Sequence, residues 1–329
     1  MRRPGLALAA ARCCGALKRA RAADGRHLRL DTLAVLLLVM CCALWGLGQV
    51  AVKVVLPQVP PLLQAGLRSL VASALLLLWC QWRGLSVWQA DGTGRGGLLA
   101  GSLFAAEFAC IFLGLQYTSA SRMSVFLYLS PFVVALGMPF IARHERLHAP
   151  QVAGLALAFA GVVWAFAEGF ARPAAGPLQW LGDALGIVAA VLWGLTTLTL
   201  RGSRLSTAAP EKTLLYQLGI SGLALTAASA FSPEAWPALE SLSALTWWSL
   251  FFQSAIVSFA SYLVWFWLMR HYPATRVSAF VLLTPVFGLL FGVALLNEPL
   301  TPRILLALGA VCVGIALVNL VTAWPRPRT

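Results

Sequence analysis

Ten apolar runs, each long enough to cross a bilayer, constrain this chain more than any other feature. A helix needs about 20 apolar residues to span the hydrocarbon core. Lipid offers no partner to an unpaired backbone group, so runs of this length predict membrane-spanning helices rather than strands. The runs lie at about 33–55, 61–81, 97–116, 122–141, 151–170, 182–200, 213–231, 246–268, 276–296 and 303–322.

The composition argues against a soluble fold. Apolar residue types make up 60% of the 329 residues and charged types only 11%, whereas soluble domains carry about 25% charged residues. The net charge of +13 does not indicate nucleic-acid binding, because the Lys and Arg lie between apolar runs and at the termini. The predicted fold class is therefore all-α integral membrane, with the lipid bilayer as a partner and no nucleic acid.

The distribution of Lys and Arg predicts the orientation. With the N-terminus in the cytoplasm, nineteen of the 24 Lys and Arg fall in cytoplasmic segments and three in external loops. Cytoplasmic loops of membrane proteins carry this excess. We therefore expect a multi-pass protein of the inner (plasma) membrane with both termini in the cytoplasm, namely a basic tail at 1–32 and a short tail at 323–329.

The two halves of the chain repeat one another. The segment Leu44-Trp45-Gly46-Leu47 recurs as Leu192-Trp193-Gly194-Leu195, and Ala120-Ser121-Arg122 is matched by Ala274-Thr275-Arg276. The markers occur in the same order in both halves.

Each half contains five predicted spans, so the second half enters the membrane from the opposite side. We predict two inverted five-helix repeats, 33–170 and 182–322, joined by an external linker at 171–181. Inverted repeats are typical of secondary transporters with a substrate site near the midplane between the halves.

Several of these segments resemble a known family. They are Leu113–Arg122 (LGLQYTSASR), Ser130-Pro131 and Asn297–Leu300 (NEPL), together with the Trp-Gly and distal cation in the first span of each half. They are similar to the ten-helix type of the drug/metabolite transporter superfamily with two EamA domains, over roughly 33–322. The resemblance implies small organic substrates, often exported, including amino acids and related metabolites, and it brings no characteristic catalytic residues. The second half departs from the pattern at His271-Tyr272-Pro273.

Two charged residues lie within predicted spans near the midplane. Glu107 is about eleven residues into the third span and Arg68 about seven residues into the second. A lone carboxylate in hydrocarbon is costly, so Glu107 must be paired, protonated or wetted by a cavity. We consider Glu107 a candidate for proton coupling or for contact with a substrate amine. Arg68 is a candidate for binding a substrate carboxylate. The alternatives are a structural ion pair between the two and, for Arg68, snorkelling to the interface.

Trp45, Trp193 and Gln217 complete the predicted substrate site. The two Trp rings lie deeper than an interfacial belt and can hold a substrate ammonium or simply pack. The repeat aligns Gln217 with Arg68. At the span ends, Lys53 is expected mainly to snorkel to the interface. No spacing of His, Cys or carboxylates indicates a metal site, and no cofactor is predicted.

Pro131 and Pro285 occupy equivalent places in the fourth and ninth spans. A mid-helix Pro removes a backbone hydrogen bond and kinks the helix. The paired placement predicts two hinges around one central cavity, as alternating access requires. The alternative is that Pro is simply commoner in membrane helices.

The sequence favours a secondary transporter that exports a small metabolite, such as an amino acid or related compound, by alternating access. One alternative is an integral-membrane enzyme acting on lipid-borne substrates, but no cluster of catalytic groups supports it. The other is a non-transporting scaffold, which has no need of the costly carboxylate of Glu107. The expected partners are a small-molecule substrate, the bilayer and, as an open alternative, a second copy in a homodimer.

Overall fold

Helices form the regular structure of the chain. The computed structural model describes residues 31–141, 149–171, 175–272, 280–281 and 283–322, and no strand occurs in these ranges. The helices are α1 (Thr32–Val55), α2 (Pro61–Trp82), α3 (Gly94–Gly114), α4 (Ala120–Leu127), α5 (Ser130–Ile141), α6 (Ala149–Ala171), α7 (Gln179–Gly202), α8 (Pro210–Ala230), α9 (Ala244–Phe251), a π-helical segment (Phe252–Ser261), α10 (Tyr262–His271), α11 (Leu283–Leu296) and α12 (Pro302–Thr322), with short 3₁₀ turns at Arg204–Thr207 and Leu239–Ser241. The predicted all-α fold is confirmed for these residues.

Seven of the described helical stretches are long and apolar enough to cross a membrane, when α4 with α5 and α9 with α10 are each taken as one stretch. Three shorter apolar helices, Val152–Ala165, Leu283–Leu296 and Pro302–Gly314, coincide with the remaining predicted spans. A multi-pass helical membrane protein is therefore confirmed, whereas the number ten stays a prediction. The start of the predicted ninth span and most of both predicted tails lie outside the described residues.

Local signals explain where several helices begin. The Asp31 side chain accepts a hydrogen bond from the Ala34 N–H at 2.8 Å, and the Ser119 hydroxyl accepts one from the Arg122 N–H at 3.1 Å. Such N-caps satisfy backbone donors that have no partner within the helix. Pro61 begins α2, where its missing N–H costs nothing. Helix starts are thus encoded locally, in the links between apolar runs.

The fourth span is present but is not one continuous helix. The helix α4 ends at Leu127 and α5 begins at Ser130, so Pro131 lies in the first turn of α5 rather than in mid-helix as predicted. Because Pro131 has no N–H to return to the Leu127 carbonyl, the chain tightens at this point. The Leu129 N–H instead donates to the Phe126 carbonyl three residues back, at 3.1 Å.

Pro285 has a similar place in the ninth span. It is the third residue of α11, and the Thr284 N–H donates to the Val281 carbonyl at 3.0 Å. The two prolines that the sequence pairs therefore both lie in the first turn of a helix. Where the sequence predicts kinks at Pro131 and Pro285, the structure has helix starts. In the fourth span, the helix start follows a complete break in the helix.

Helices from the first predicted half pack on helices from the second. Thus α1 lies on α11, α2 on α8, α3 on α7 and α6 on α12. Glycine allows two of these close approaches, as is usual between membrane helices. A Cβ on Gly46 would lie 2.7 Å from the Gly288 backbone nitrogen, and one on Gly182 would lie 2.7 Å from the Gly114 carbonyl oxygen. The central space is therefore enclosed by both halves.

Candidate functional site

A cavity of about 260 Å³ lies between the helices of the two predicted halves. All five residues that the sequence predicts for substrate binding line it. Its polar and aromatic lining residues are Trp45, Gln49, Arg68, Phe104, Glu107, Phe108, Phe112, Ser124, Tyr128, Trp193, Thr196, Thr197, Gln217, Gln253, Tyr262, Trp265, Phe266 and Thr284. The cavity thus combines an aromatic wall with a few buried polar groups, which is the usual make-up of a small-molecule site.

Arg68 on α2 packs against two aromatic rings of α3. Its guanidinium carbon lies 3.9 Å from the centroid of the Phe108 ring and 5.5 Å from that of Phe112. The side chain is only 5% exposed, and its Nε and Nη2 have no hydrogen-bond partner among the described residues. The ring faces stabilise the cation, while two donor nitrogens of its planar fork stay free for a ligand.

Glu107 on α3 lines the same cavity but is not paired with Arg68. It is 4% exposed, and its Oε2 lacks a hydrogen-bond partner within the part of the chain that the structure describes. The ion pairs found in that part do not include one between Glu107 and Arg68. The alternative considered above, a structural ion pair, is therefore not formed as a direct contact among the described residues, although the two charges lie close enough to attract each other. Two buried charges left unpaired are costly, so a ligand, a proton or water has to offset this cost.

The aromatic wall is itself ordered by contacts. The Trp45 Nε1 donates to the Ser261 hydroxyl at 2.8 Å, and its ring lies edge-on to Trp265 with the centroids 5.1 Å apart. Trp193 lies edge-on to Tyr128 at 5.7 Å. These contacts fix the rings around the space that Arg68 faces, so the wall is largely preformed.

The sequence analysis missed a pair of glutamines beside the cavity. Gln64 and Gln253 are almost fully buried, and the Gln64 Nε2 donates to the Gln253 Oε1 at 3.1 Å. The same Gln64 Nε2 donates to the Val52 carbonyl, and the Gln253 Nε2 donates to the Ala51 carbonyl, both at 3.2 Å. The pair thus ties α2 and the π-helical segment to α1. The available signal was an amide inside an apolar run, and π-helical segments frequently mark functional sites.

Three further polar atoms without partners surround the cavity. They are Gln49 Oε1, Ser124 Oγ and Thr284 Oγ1, each buried and without a hydrogen-bond partner in the described ranges. Ser124 and Thr284 are 2% and 5% exposed. Buried polar groups are normally hydrogen-bonded, so their grouping around one cavity indicates a place for a polar ligand.

The predicted outer end of the bundle holds an acidic residue that the sequence analysis also overlooked. Asp183, near the start of α7, is fully buried and forms an ion pair with Arg122. Arg122, at the start of the predicted fourth span, is one of the three Lys and Arg counted as external in the charge analysis, but the structure buries it at the start of α4.

Lys53, in the last turn of α1, contacts the loop before α4. Its Nζ donates to the Thr118 carbonyl at 2.5 Å, and its side chain is 28% exposed. Lys53 thus binds polar groups at this end of the bundle, and its snorkelling to the interface stays a prediction.

The predicted inner end has a smaller ion pair. The Lys212 Nζ lies 2.9 Å from the Asp91 Oδ1 and donates to the Gln89 carbonyl at 2.6 Å. Hydrogen bonds from Thr93 and then from Lys212 hold the pKa of Asp91 well below its usual range. These contacts join the loop after α2 to the start of α8.

The fold and the cavity define a class of protein, a multi-pass helical membrane transporter, and the comparisons with known proteins agree. The sequence model of the EamA-like transporter family matches residues 32–167 and again 180–320. The chain belongs to this family, which confirms the resemblance noted from the sequence.

Known relatives carry transporter names. An uncharacterized transporter of Archaeoglobus fulgidus is 30% identical over 88% of this chain and 96% of its own length. The uncharacterized transporter YvbV of Bacillus subtilis is 29% identical over 88% of this chain and 92% of its own. A probable amino-acid metabolite efflux pump of Escherichia coli is 26% identical over 83% of this chain and 89% of its own. The prediction of a transporter rather than an enzyme is confirmed.

The fold also has a solved counterpart. One crystal structure superposes with a TM-score of 0.59 and 20% sequence identity, covering 87% of this chain and 97% of the other. At this identity the likeness shows the fold alone.

Proposed function

We propose that this chain is a secondary transporter of the inner (plasma) membrane that exports a small metabolite, such as an amino acid or related compound, by alternating access. The proposed architecture is ten spans in two inverted halves, 33–170 and 182–322, with the external linker 171–181 between them and the tails 1–32 and 323–329 in the cytoplasm. The family match to both halves and the packing of α1 on α11 and α2 on α8 support this division. A homodimer stays a prediction.

The observation that carries the substrate class is the pair of opposite, unpaired charges in one cavity. Arg68 has free Nε and Nη2 donors and Glu107 a free Oε2 acceptor. A ligand with both a carboxylate and an ammonium group neutralises both side chains at once, whereas a neutral ligand leaves both charges unpaired. The aromatic wall formed by Trp45 and Trp193 suits an apolar portion of the same ligand. The name of the Escherichia coli relative points the same way.

Glu107 is also the proposed carrier of a coupling proton. It is buried near the middle of α3 and has no cation within ion-pair distance in the described part of the chain. A buried carboxylate in this setting takes up a proton when the ligand leaves and gives it up when a ligand ammonium arrives. Gln217, which lines the same cavity and is aligned with Arg68 by the repeat, is proposed to contact the substrate from the other half.

The experiment is counterflow of labelled amino acids by the purified protein in liposomes. We expect the wild type to concentrate a subset of zwitterionic compounds and to ignore analogues that lack either charge. Arg68→Gln should reduce exchange at least about tenfold, because a charged hydrogen bond is worth about 1.5–3 kcal/mol. Arg83→Gln is the matched control, since Arg83 follows the same helix and is exposed.

Glu107→Gln separates the two proposed roles of Glu107. If Glu107 carries the proton, the variant loses flux driven by a pH gradient and keeps exchange between equal concentrations. Glu240→Gln, which alters an exposed acid in the loop before α9, serves as the control. A wild-type protein that is folded but moves no compound of the panel contradicts the proposed substrate class and leaves the scaffold alternative.

A further inference from the structure

A carboxylate from one half of the chain binds the start of a helix from the other half at the predicted outer end. The Glu298 Oε1 accepts a hydrogen bond from the Ala120 N–H at 2.7 Å. The Glu298 Oε2 accepts from the Ser121 N–H at 2.9 Å and from the Ser121 hydroxyl at 2.6 Å. Ala120 and Ser121 begin α4, whose first N–H groups have no partner within the helix. Glu298, which lies in the second predicted half, therefore caps α4, which belongs to the first half.

The backbone around Glu298 is shaped for this contact. Asn297 has a φ of +53°, a left-handed conformation that Asn adopts more readily than most residues. It turns the chain after α11 so that the Glu298 N–H donates to the Gly292 carbonyl at 3.2 Å. A Cβ on Gly292 would collide with the Glu298 Oε2 and the Ser121 hydroxyl. Gly292 thus leaves space for the Glu298 carboxylate, and Asn297 provides the turn that positions it.

Lys53 adds an opposite charge to the contact. Its Nζ lies 3.7 Å from the Glu298 Oε1, and the Glu298 side chain is 7% exposed. Lys53, Ser121 and Glu298 also line a second cavity of about 300 Å³ at this end. The Lys53 side chain is more exposed than either partner in the Arg122–Asp183 pair nearby. Water screens exposed charges, so the contact of Glu298 with Lys53 is the more easily broken of the two.

The short helix α4 lies between the two cavities. Ser124 and Leu127 on α4 line the central cavity, whereas Ser121 and Arg122 on the same helix line the outer one. The helix α4 thus contributes residues to both cavities, so a displacement of α4 would alter both of them. The start of α4 is held by Glu298 and by the Arg122–Asp183 pair, and its end is followed by a break in the span before Ser130.

We propose that Glu298 holds the outer end of the transporter closed, and that its release from α4 and Lys53 is a step of the transport cycle. The proposal rests on the proposed function in that it assumes alternating access. Glu298 acts here through α4 as a positioning residue and touches no substrate. Its release exposes the central cavity to the outside while the buried Arg122–Asp183 pair keeps α4 attached to α7.

The test is the accessibility of a single cysteine in the central cavity. Gln49→Cys, in a cysteine-free background and in sealed vesicles, reports the rate of reaction with a membrane-impermeant thiol reagent added on either side. Glu298→Gln and Lys53→Met should raise the ratio of outside to inside labelling roughly tenfold, which corresponds to about 1.4 kcal/mol. Ser121→Ala, which removes one of the three hydrogen bonds, should raise it less. Glu240→Gln, an exposed acid of a loop predicted at the same end, should leave it unchanged.

A merely structural role gives a different result. General loosening of the bundle lowers the unfolding temperature and raises labelling from both sides, so the ratio stays constant. A constant ratio in both Glu298→Gln and Lys53→Met overturns the proposal. Labelling requires no flux, so the two proposals can be separated. If the protein moves no metabolite but shows the shifted ratio, the proposed function is contradicted and the proposed role of Glu298 in closing the outer end stands.

Discussion

Arg122 and Asp183 form a buried ion pair that joins α4 to α7. The Arg122 Nε donates to the Asp183 Oδ1 at 3.0 Å, and the Arg122 Nη2 donates to the Oδ2 at 2.5 Å. The Thr118 hydroxyl donates to the same carboxylate at 2.5 Å, and the Arg122 Nη2 also donates to the Ala165 carbonyl. Both oxygens of the buried carboxylate are therefore hydrogen-bonded, as a desolvated charge requires.

Breaking this pair on one side should destabilise the protein strongly. We expect Asp183→Asn to lower the free energy of unfolding by about 3–5 kcal/mol, because Arg122 is then buried without a counter-charge. The double variant Arg122→Met with Asp183→Leu should recover part of the loss, since no charge is left buried. Denaturant unfolding in detergent measures both. If the double variant is no more stable than Asp183→Asn, the pair contributes to the free energy of unfolding through packing rather than through charge.

The cap of α4 is encoded locally in the sequence, whereas the pairing of Arg122 with Asp183 is not. Ser119 as the cap of α4 follows from the residues next to it, because a cap acts within one turn. The partner of Arg122 is 61 residues away in the chain. Nothing in the sequence near Arg122 distinguishes a loop cation from a buried one, so its burial follows only from the packing of α4 on α7.

The central cavity shows the same difference between local features, which the sequence encodes, and contacts between distant segments, which it does not. Depth along a span can be counted in residues, and this is why Arg68 and Glu107 were predicted near one level. Whether they touch depends on how α2 and α3 are rotated and spaced, which the sequence does not encode locally. The structure places both on one cavity without an ion pair between them. The Gln64–Gln253 pair was missed for a similar reason, since its members are 189 residues apart.

The orientation can be tested by single cysteines in the loops. We expect Ser86→Cys and Ser206→Cys to react only with reagent on the cytoplasmic side, and Ala235→Cys only with reagent outside, because Lys and Arg favour the cytoplasm. All three positions are exposed. The loops that hold Ser86 and Ser206 lie at one end of the bundle, since a Cβ on Gly96 would lie 2.8 Å from the Ser203 hydroxyl. Labelling of Ser206→Cys from outside would contradict the inverted-repeat architecture.

The pair of Asp91 and Lys212 should give a pH-dependent stability of known sign. The pKa of Asp91 is lowered in the folded protein, so its contribution is present above the unfolded pKa of about 3.9 and is lost as the pH falls through the folded value. We expect Asp91→Asn to lower the unfolding temperature equally at pH 7 and pH 5, and by less at pH 3. The side chain of Asp91 is 39% exposed, so the effect should be small and should shrink in high salt. A difference that grows toward pH 3 would contradict the pairing.

The prolines at the two helix starts provide the test of the proposed hinges. Pro131→Ala supplies an N–H for the Leu127 carbonyl and so favours a continuous helix through α4 and α5. Pro285→Ala supplies one for the Val281 carbonyl, to which the Thr284 N–H now donates. If the halves are inverted, stiffening one span hinders opening at one end of the cavity, and stiffening the other span hinders opening at the opposite end.

The two variants should therefore shift the balance of inward and outward states in opposite senses. Distances between spin labels would measure this, with one pair at Ala175 and Leu300 at the predicted outer end and another at Thr32 and Ser206 at the predicted inner end. All four positions are exposed. Pro210→Ala is the control, because Pro210 is the first residue of α8, where the missing N–H has no partner to lose. Substrate affinity in a trapped state should change little, since neither proline lines the cavity. If both variants move the distances in the same direction, or neither does, the helix starts at Pro131 and Pro285 are features of packing. Opening of the central cavity must then rely on α4 and its hydrogen bonds to Glu298 alone.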